Sequence, residues 1–443
     1  MFKRFLILTI IVIIVALLCN YSIHHSYKYL NWIYEYPKGQ KAQYLTQNQK
    51  YILLTTKNLN NDTSFIHFIN KQNGQQLSTF KVEKVFNPPQ IVNDWLIVAS
   101  KENESSDSGS IYVFDLKTLN LVWKDKFISY KWAFKAYNNM LFYVDASGIL
   151  RNVLVENKNI VWKVVSDSGF SNSTTPDIFN KNLYICNKNQ ILIMDVDTSK
   201  IIHNFKTDYD INSCSFNSEY AAVMLDNGYI YLIDFLNSLI KWKYQHVLLF
   251  SKSNIDILED KFLGLLSTIN LSQIKNTPNL KVLNRVNQII HIIDMKSGMT
   301  IWQKDLEYPL DNTSLNTSIY QNKIVIQITK GCLTAFRIDN GFKLWQFYSK
   351  EGITPKIKYT INKNKIFLTM NGKNDGFLYV IDLRTGLLIN KIKTPRFTPN
   401  SLSPLIDSEE IFLTCNNNSI AAFNINKIIK AAKKNKELNN EQK

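Results

Sequence analysis

The sequence predicts an all-β protein, a β-propeller built from four-stranded antiparallel blades. The first observation is a phrase that recurs along the chain: a β-branched run, an acidic residue, a turn, and a tryptophan eight residues after the acid. The second is spacing, since the copies follow one another at roughly 40-residue intervals, the length of one blade. The third is that short apolar runs and turn residues fill each interval, as in proteins of many short strands. The clearest copies are Ile111–Trp123, Ile230–Trp242 and Ile290–Trp302.

Each unit contains the pieces of one blade in order. One complete set is QIV from Gln90, WLIVAS from Trp95, SIYVFDL from Ser110 and LVWKDKF from Leu121. The middle runs are apolar at successive positions, as expected for strands that neighbouring sheets cover on both faces. The turn after the acid agrees with a hairpin, because Asp294 can accept backbone N–H bonds and Gly298 can adopt a positive φ.

Counting the copies leaves two numbers of blades open. The acid position and its equivalents fall at Asn70, Asp115, Leu154, Asp195, Asp234, Asp294, Arg337 and Asp382. A further copy stops near Asn424 after three strands, and LNWIYEYP, from Leu30, is a candidate for its missing outer strand. Pairing the two would close the ring and hide both edge strands. We favour eight blades, the usual upper size, with an irregular copy around Asn70 or Leu154; nine is the alternative.

Tryptophan occupies the last position of the phrase, or its equivalent, in most copies. The residues are Trp32, Trp123, Trp162, Trp242, Trp302 and Trp345. A large flat ring on the outer strand can cover the seam to the next blade. Because the spacing is regular, we interpret these residues as packing residues rather than as a row of ligand-binding rings.

The composition is that of a folded protein with a large core. Of 443 residues, 45% are hydrophobic and 12% aromatic, and no linker interrupts the repeat, which favours a single propeller domain over 30–426. The net charge of +16 is diffuse. The basic residues form no stripe interleaved with aromatics, so we expect no nucleic-acid partner. Diffuse positive charge is instead typical of a protein that contacts an anionic membrane or an acidic partner. The five cysteines include no CxxC pair, and we expect no metal site and no cofactor.

Residues 1–21 are predicted to be a signal peptide or a membrane anchor. Two basic residues precede an apolar run from Phe5 to Cys19, the arrangement of an export signal, and the run is short for a membrane span. Cys19 is a candidate for lipidation, but Leu18 stands where a lipoprotein signal has a small residue. In both cases we expect the folded part on the periplasmic side of the cell envelope. It would lie at the outer membrane if Cys19 is lipidated, and otherwise be anchored to the inner membrane.

Two segments lie outside the repeat. The longest interval between copies contains an insertion over roughly 265–287, with Lys275, Lys281 and Arg285 as a candidate interaction loop. The tail over 427–443 is Lys-rich, and we expect a frayed helix or disorder there, with no role in chemistry.

The units resemble PQQ-type propeller repeats, most clearly in GSIYVFDLKTLNLVW, NGYIYLIDFLNSLIKW and KSGMTIWQKDL. The resemblance extends from Trp32 to Asn426. The layout is similar to the BamB family of outer-membrane assembly lipoproteins in its export signal, lone propeller and closing N-terminal tryptophan strand. This resemblance implies a non-catalytic scaffold at the periplasmic face of the outer membrane, which docks on the β-barrel assembly machine and helps to deliver its clients.

PQQ-dependent dehydrogenases share the blade phrase but differ from this chain where their chemistry lies. Those enzymes present adjacent cysteines, an active-site Asp and a calcium site, whereas the cysteines here are isolated and the repeat acids are explained as turn caps. The six His residues have no triad spacing with a Ser or Cys. We therefore predict a non-catalytic, membrane-tethered scaffold. The alternatives are an anchored propeller that binds another envelope protein or ligand, and a PQQ-dependent quinoprotein dehydrogenase.

Overall fold

The structure is a computed structural model that describes most of the chain after residue 28. The described residues are 29–102, 108–128, 134–166, 169–170, 176–235, 237–245, 250–259, 261–269, 288–306, 319–329, 332–349, 358–372, 375–397, 402–416 and 418–431. The regular secondary structure of this part is almost entirely β-strand, as the sequence predicts.

The strands are numbered in chain order and grouped into repeats. The first strand, β1 (Leu30–Glu35), belongs to the last repeat. Repeats 1 to 3 contain β2 (Gln40–Gln47), β3 (Tyr51–Asn58), β4 (Thr63–Asn70) and β5 (Gln76–Val85); β6 (Gln90–Val92), β7 (Trp95–Lys101), β8 (Ser108–Asp115) and β9 (Asn120–Ile128); and β10 (Lys135–Tyr137), β11 (Met140–Val144), β12 (Leu150–Leu154) and β13 (Ile160–Val164). Repeats 4 to 6 contain β14 (Asp177–Phe179), β15 (Asn182–Asn187), β16 (Gln190–Asp195) and β17 (Ile201–Lys206); β18 (Ile211–Phe216), β19 (Tyr220–Leu225), β20 (Tyr229–Asp234) and β21 (Leu239–Gln245); and β22 (Phe250–Leu258), β23 (Phe262–Ile269), β24 (Gln288–Asp294) and β25 (Thr300–Leu306). Repeats 7 to 9 contain β26 (Lys323–Thr329), β27 (Cys332–Arg337) and β28 (Lys343–Tyr348); β29 (Lys358–Asn362), β30 (Lys365–Asn371), β31 (Gly376–Asp382) and β32 (Leu388–Thr394); and β33 (Leu405–Ile406), β34 (Glu410–Cys415) and β35 (Ser419–Asn424).

Within each repeat, neighbouring strands pair antiparallel and in chain order. The described residues contain eight hydrogen-bonded sheets but nine repeats, because repeats 1 and 2 share one sheet through β5 and β7. The copies around Asn70 and Leu154 each contain four strands. The Leu154 copy is regular, whereas in the Asn70 copy β5 also pairs with β7 of the next repeat. In repeat 7, a bridge between Ile319 and Ile324 precedes the three described strands.

The N-terminal strand completes the last repeat, as the sequence predicts. β1 pairs antiparallel with β35, with Trp32 opposite Ala422 and Glu35 opposite Ser419. The sheet has the order β1-β35-β34-β33, so repeat 9 is built from both ends of the described chain. This pairing covers strand edges that would otherwise be exposed.

The core lies between neighbouring sheets. Among the described residues, each hydrophobic cluster joins two successive repeats, and the series ends with clusters that join repeat 8 to repeat 9 and repeat 9 to repeat 1. Trp32 and Phe412 of repeat 9, for example, share a cluster with Ile52 of repeat 1. The packing therefore runs around a closed ring, which is the propeller arrangement. Middle strands such as β16 and β20 are buried, whereas outer strands such as β21 alternate between half-buried and exposed residues.

A short helix over 425–431 follows β35. Its Ile428 is fully buried in the core shared by repeats 8 and 9, and the Asn390 side chain donates to the Ile428 carbonyl (2.8 Å). The first residues of the predicted tail, 427–443, therefore pack on the ring. Among the described residues, no helix has the length and apolar character needed to cross a membrane.

Candidate functional site

The hairpin between the third and fourth strands of each repeat, which we name the acid turn, is the most regular feature of the ring. Its first residue is the acid position. Asp195 accepts hydrogen bonds from the backbone N–H groups of Asp197 (3.1 Å) and Thr198 (2.7 Å), and from the Thr198 hydroxyl (2.7 Å). These bonds, with the Thr198 hydroxyl first, lower the pKa of Asp195. The backbone N–H of Lys296 lowers the pKa of Asp294 in the same way. The repeat acids are therefore turn caps.

The fifth residue of the acid turn has a positive φ in repeats 1 to 8. These residues are Gly74 (72°), Leu119 (56°), Lys158 (62°), Ser199 (62°), Ser238 (52°), Gly298 (74°), Gly341 (68°) and Gly386 (69°). Glycine adopts this conformation without steric cost, whereas the other residue types adopt it at a cost of about 1 kcal/mol. The backbone of the turn is thus the same whether or not glycine is present.

The predicted tryptophans dock on the acid turn of the next repeat around the ring. Each indole Nε1–H donates to the carbonyl of the second residue of that turn, over 2.7–2.9 Å. The pairs are Trp32 with Lys71, Trp123 with Val155, Trp162 with Val196, Trp242 with Met295, Trp302 with Ile338 and Trp345 with Leu383. Each buried or half-buried indole N–H thereby has an acceptor, and the same bond joins one sheet to the next.

Glycine at the positive-φ position lets an indole ring lie directly on the turn. A Cβ added to Gly386 would lie 2.6 Å from the Trp345 ring, which is too short for a real contact. Glycine is therefore required for the close approach at that seam. A serine is tolerated at another seam, because Trp162 makes its hydrogen bond in the presence of Ser199.

The seam between repeats 4 and 5 has no tryptophan, because His203 occupies the docking position. A cavity of about 60 Å³ remains there, lined by Ile191, Ile193, His203, Asn204, Phe205, Phe235 and Ser238. Phe235 and Ser238 are the second and fifth residues of the acid turn of repeat 5. The cavity therefore lies where other seams hold an indole.

A buried polar cluster that the sequence does not predict lies at the seam between repeats 9 and 1. His67 in β4 is 1% exposed, with Nδ1 at 3.1 Å from the Tyr34 hydroxyl and Nε2 at 3.0 Å from the Thr56 hydroxyl. The Tyr34 hydroxyl donates to Gln76 Oε1 (2.5 Å). Burial lowers the pKa of His67 to about 4 and raises the pKa of Tyr34 to about 12. Both side chains are thus neutral near pH 7, and they tie β1 to repeat 1.

A largely buried cation lies at the same seam. Lys71, whose carbonyl accepts the Trp32 indole, forms an ion pair with Asp407 of repeat 9. Burial lowers the pKa of Lys71, and the neighbouring Glu410 opposes this effect. Glu410 also accepts a hydrogen bond from the Asn31 side chain in β1 (2.5 Å). The closing strand β1 is thus held by the Trp32 indole and the Asn31 amide, and the ion pair joins another part of repeat 9 to repeat 1.

The outer strands form the rim of the ring. In the described chain, β13, β17, β21 and β25 each pair with a single strand, so one edge of each faces outward. Rim lysines lie over rings of the adjacent strand, with Lys124 Nζ 4.8 Å from the Tyr112 centroid and Lys243 Nζ 4.6 Å from the Tyr231 centroid. Such contacts contribute about 0.5–1 kcal/mol at exposed sites. Lysines on an edge also oppose unspecific strand pairing.

Several predicted site residues fall outside the described part of the chain. They are Cys19, Lys275, Lys281 and Arg285. The start of the predicted insertion, 265–269, continues β23. Cys186, Cys332 and Cys415 are buried and Cys214 is half-buried. Within the described ranges, no three His, Cys, Asp or Glu side chains come together as a metal site would require.

A family model described as outer membrane protein assembly factor BamB matches residues 278–434. The match covers the end of repeat 6, repeats 7 and 8, and the three C-terminal strands of repeat 9. No curated protein sequence matches the chain significantly.

Three solved structures are similar to the chain at low identity. BamB from Moraxella catarrhalis is 13% identical with a TM-score of 0.43, over 76% of this chain and 93% of that chain. The quinohemoprotein alcohol dehydrogenase ADHIIG from Pseudomonas putida HK5 is 11% identical with a TM-score of 0.48, over 78% of this chain and 72% of that chain. The computationally designed Ika8 protein is 11% identical with a TM-score of 0.48, over 90% of this chain and 100% of that chain.

Proposed function

We propose that this protein is a non-catalytic, membrane-tethered scaffold of the bacterial cell envelope that takes part in the assembly of outer-membrane β-barrel proteins. The observation that carries the proposal is the match to the BamB family model over 278–434. The closed ring supports it, because a scaffold needs a rigid frame. The export signal or anchor predicted over 1–21 supports a place in the envelope.

The rim is the surface best suited to an extended client. The outward edges of β13 and β17 can add a further strand through main-chain hydrogen bonds. Exposed apolar residues on these strands, such as Val161 and Ile202, offer contacts to alternate side chains of that added strand. Docked Trp123 and Trp162 hold the seams on the two sides of repeat 3, so the edge of β13 keeps a fixed position when a client binds.

Capture from envelope extracts with the full-length chain tests the class of partner. We expect components of the β-barrel assembly machine and barrel precursors in the eluate. A photoreactive p-benzoyl-phenylalanine in place of Val161, on the rim, should form adducts with the same proteins. The matched control carries the probe in place of Leu59, an exposed residue outside the rim strands.

Two outcomes would change the assignment. If barrel-assembly proteins are missing from both the eluate and the adducts, the assembly role is wrong. Recovery of a different envelope protein would instead favour an anchored propeller with another partner.

Absence of catalysis is part of the proposal. The acid position serves the turn, and hydrogen bonds lower the pKa of Asp294, which makes it a poor general base near neutral pH. Incubation of the protein with PQQ and Ca²⁺ should give no change in the PQQ spectrum and no dye reduction with alcohols or sugars. Dye reduction that requires both additions would show that the protein is a quinoprotein enzyme.

A further inference from the structure

The acid turns of repeats 1 to 4 differ from those of repeats 5 to 8 in the type of their sixth residue, which we name the tip residue. Its carbonyl pairs with the N–H of the acid position, at 2.9 Å in repeats 6 and 8 and 3.0 Å in repeat 7, so tip residues occupy equivalent places. In repeats 1 to 4 they are Gln75, Asn120, Asn159 and Lys200. In repeats 5 to 8 they are Leu239, Met299, Phe342 and Leu387. One face of the ring thus has a polar arc and an apolar arc.

The apolar tips are strongly exposed. The exposed fraction is 46% for Leu239, 71% for Met299, 69% for Phe342 and 65% for Leu387. At the tip position, exposed large apolar side chains in four successive repeats indicate a contact surface. In repeats 2 to 4 the tip is polar, and the exposed apolar residue is the next one along the chain, Leu121, Ile160 or Ile201. Lys296, Lys343 and Arg384 flank these tips and are exposed as well, which favours an anionic surface.

The N-terminal segment joins the ring at the next position along the apolar arc. In repeat 9, the carbonyl of Tyr29 accepts the hydrogen bond from the N–H of Asn424 (3.0 Å), the acid position of that repeat. Tyr29 therefore takes the place of a tip residue. Only residues 20–28 separate it from the apolar run that ends at Cys19, a reach of at most about 35 Å. Tyr29, the first described residue after the predicted anchor, thus lies on the same face as the apolar tips, in the repeat that follows repeat 8.

We propose that the tip residues of repeats 5 to 8 rest on the lipid bilayer that holds the N-terminal segment. The ring then stands with its apolar arc on the lipid and its polar arc turned toward the aqueous phase. This inference rests on the proposed membrane tethering. A short tether keeps the tips at high local concentration near the bilayer, so partial insertion of a few side chains beside basic residues is sufficient.

Photo-crosslinking to lipid tests the orientation in the full chain. The protein is reconstituted in vesicles of phosphatidylethanolamine and phosphatidylglycerol, with p-benzoyl-phenylalanine in place of Phe342 or of Asn159. The two positions are equivalent tips in the apolar and the polar arc, so the probe and the local backbone are matched. We expect phospholipid adducts at position 342 and none at position 159.

A second variant keeps the tether and changes only the arc. The triple substitution Met299→Glu, Phe342→Glu and Leu387→Glu should leave flotation with the vesicles unchanged. A probe in place of Leu239 should lose its lipid adducts in that background. Circular dichroism and the unfolding midpoint verify that these exposed substitutions leave the fold intact.

Flotation separates failure of the inference from failure of the proposed tethering. A chain that floats but gives no lipid adduct at position 342 retains the tether and refutes the lipid contact of the arc. A chain that does not float refutes both. A covalent dimer formed through position 342 would assign the apolar arc to a second copy of the chain and overturn the lipid contact.

Discussion

Replacement of His203 by tryptophan should stabilise the seam between repeats 4 and 5. The cavity beside His203 lies where other seams hold an indole. A tryptophan there would donate to the Phe235 carbonyl, the equivalent of the carbonyl that accepts the Trp162 indole at 2.7 Å. The fifth residue of this turn is Ser238, and Ser199 occupies the same position beside Trp162. A serine side chain is therefore compatible with docking.

The structure allows an estimate of the gain. Filling the cavity of about 60 Å³ contributes about 1.4 kcal/mol, at about 24 cal/mol per Å³. A hydrogen bond to the Phe235 carbonyl adds about 1 kcal/mol. Displacement of neighbouring side chains costs about 1 kcal/mol. The free energy of unfolding should therefore rise by about 1–2 kcal/mol.

Hydrogen exchange in β17 and β21 measures the effect locally, and urea unfolding measures it for the whole chain. The control is Ile202→Trp, which puts the same side chain on the exposed face of the same strand and should change stability by less than about 0.5 kcal/mol. If His203→Trp slows exchange no more than this control does, or speeds it, tryptophan docking does not determine the stability of the seams.

Three further perturbations test the turns and the closing seam. Gly386→Ala brings a Cβ to 2.6 Å from the Trp345 ring and should lower the free energy of unfolding by about 1–3 kcal/mol; Ser199→Gly, at the same turn position, should not destabilise the protein. The pKa of His67 is lowered to about 4, so below pH 6.5 the unfolded chain binds a proton that the folded chain does not. Because of this group, the free energy of unfolding measured in urea should fall by about 1.4 kcal/mol for each unit by which the pH is lowered from 6.5 to 4. If His67→Gln shows the same dependence of stability on pH, His67 does not have this role. Tyr34→Phe removes the bond to Gln76 and should speed hydrogen exchange in β1; unchanged exchange would show that the hydroxyl does not hold the strand.

The architecture was predictable because the same local pattern recurs in every blade. The phrase carries both the strand signal and the tryptophan that joins neighbouring sheets, and it predicts Trp32 in the closing strand, where β1 pairs with β35. The copy around Leu154 is regular although its phrase is degraded, and the reason is physical. Strand pairing depends on backbone hydrogen bonds and burial, and the turn of Leu154 keeps its positive φ at Lys158 without a carboxylate.

The surfaces and the polar cluster were harder to predict. His67 and Tyr34 lie on different strands, and they meet only because the ring closes. The sole sequence signal is a polar residue within the apolar run FIHFIN. The tip residue is polar in repeat 3 (Asn159) and apolar in repeat 7 (Phe342). This difference indicates a surface only when the equivalent turns are aligned in space and the exposure of their side chains is known.

Ring closure also constrains when this protein can finish folding. Asn31 and Glu410 make their hydrogen bond across 379 positions of sequence, and β1 leaves the ribosome long before its partner β35. Contacts this distant in sequence form late. Until β35 arrives, β1 has no partner and the first repeat has an uncovered face. In a chain truncated before Asn424, the edge of β1 would stay permanently exposed. A protease or chaperone that recognises unpaired strands could therefore distinguish such a chain from a complete molecule.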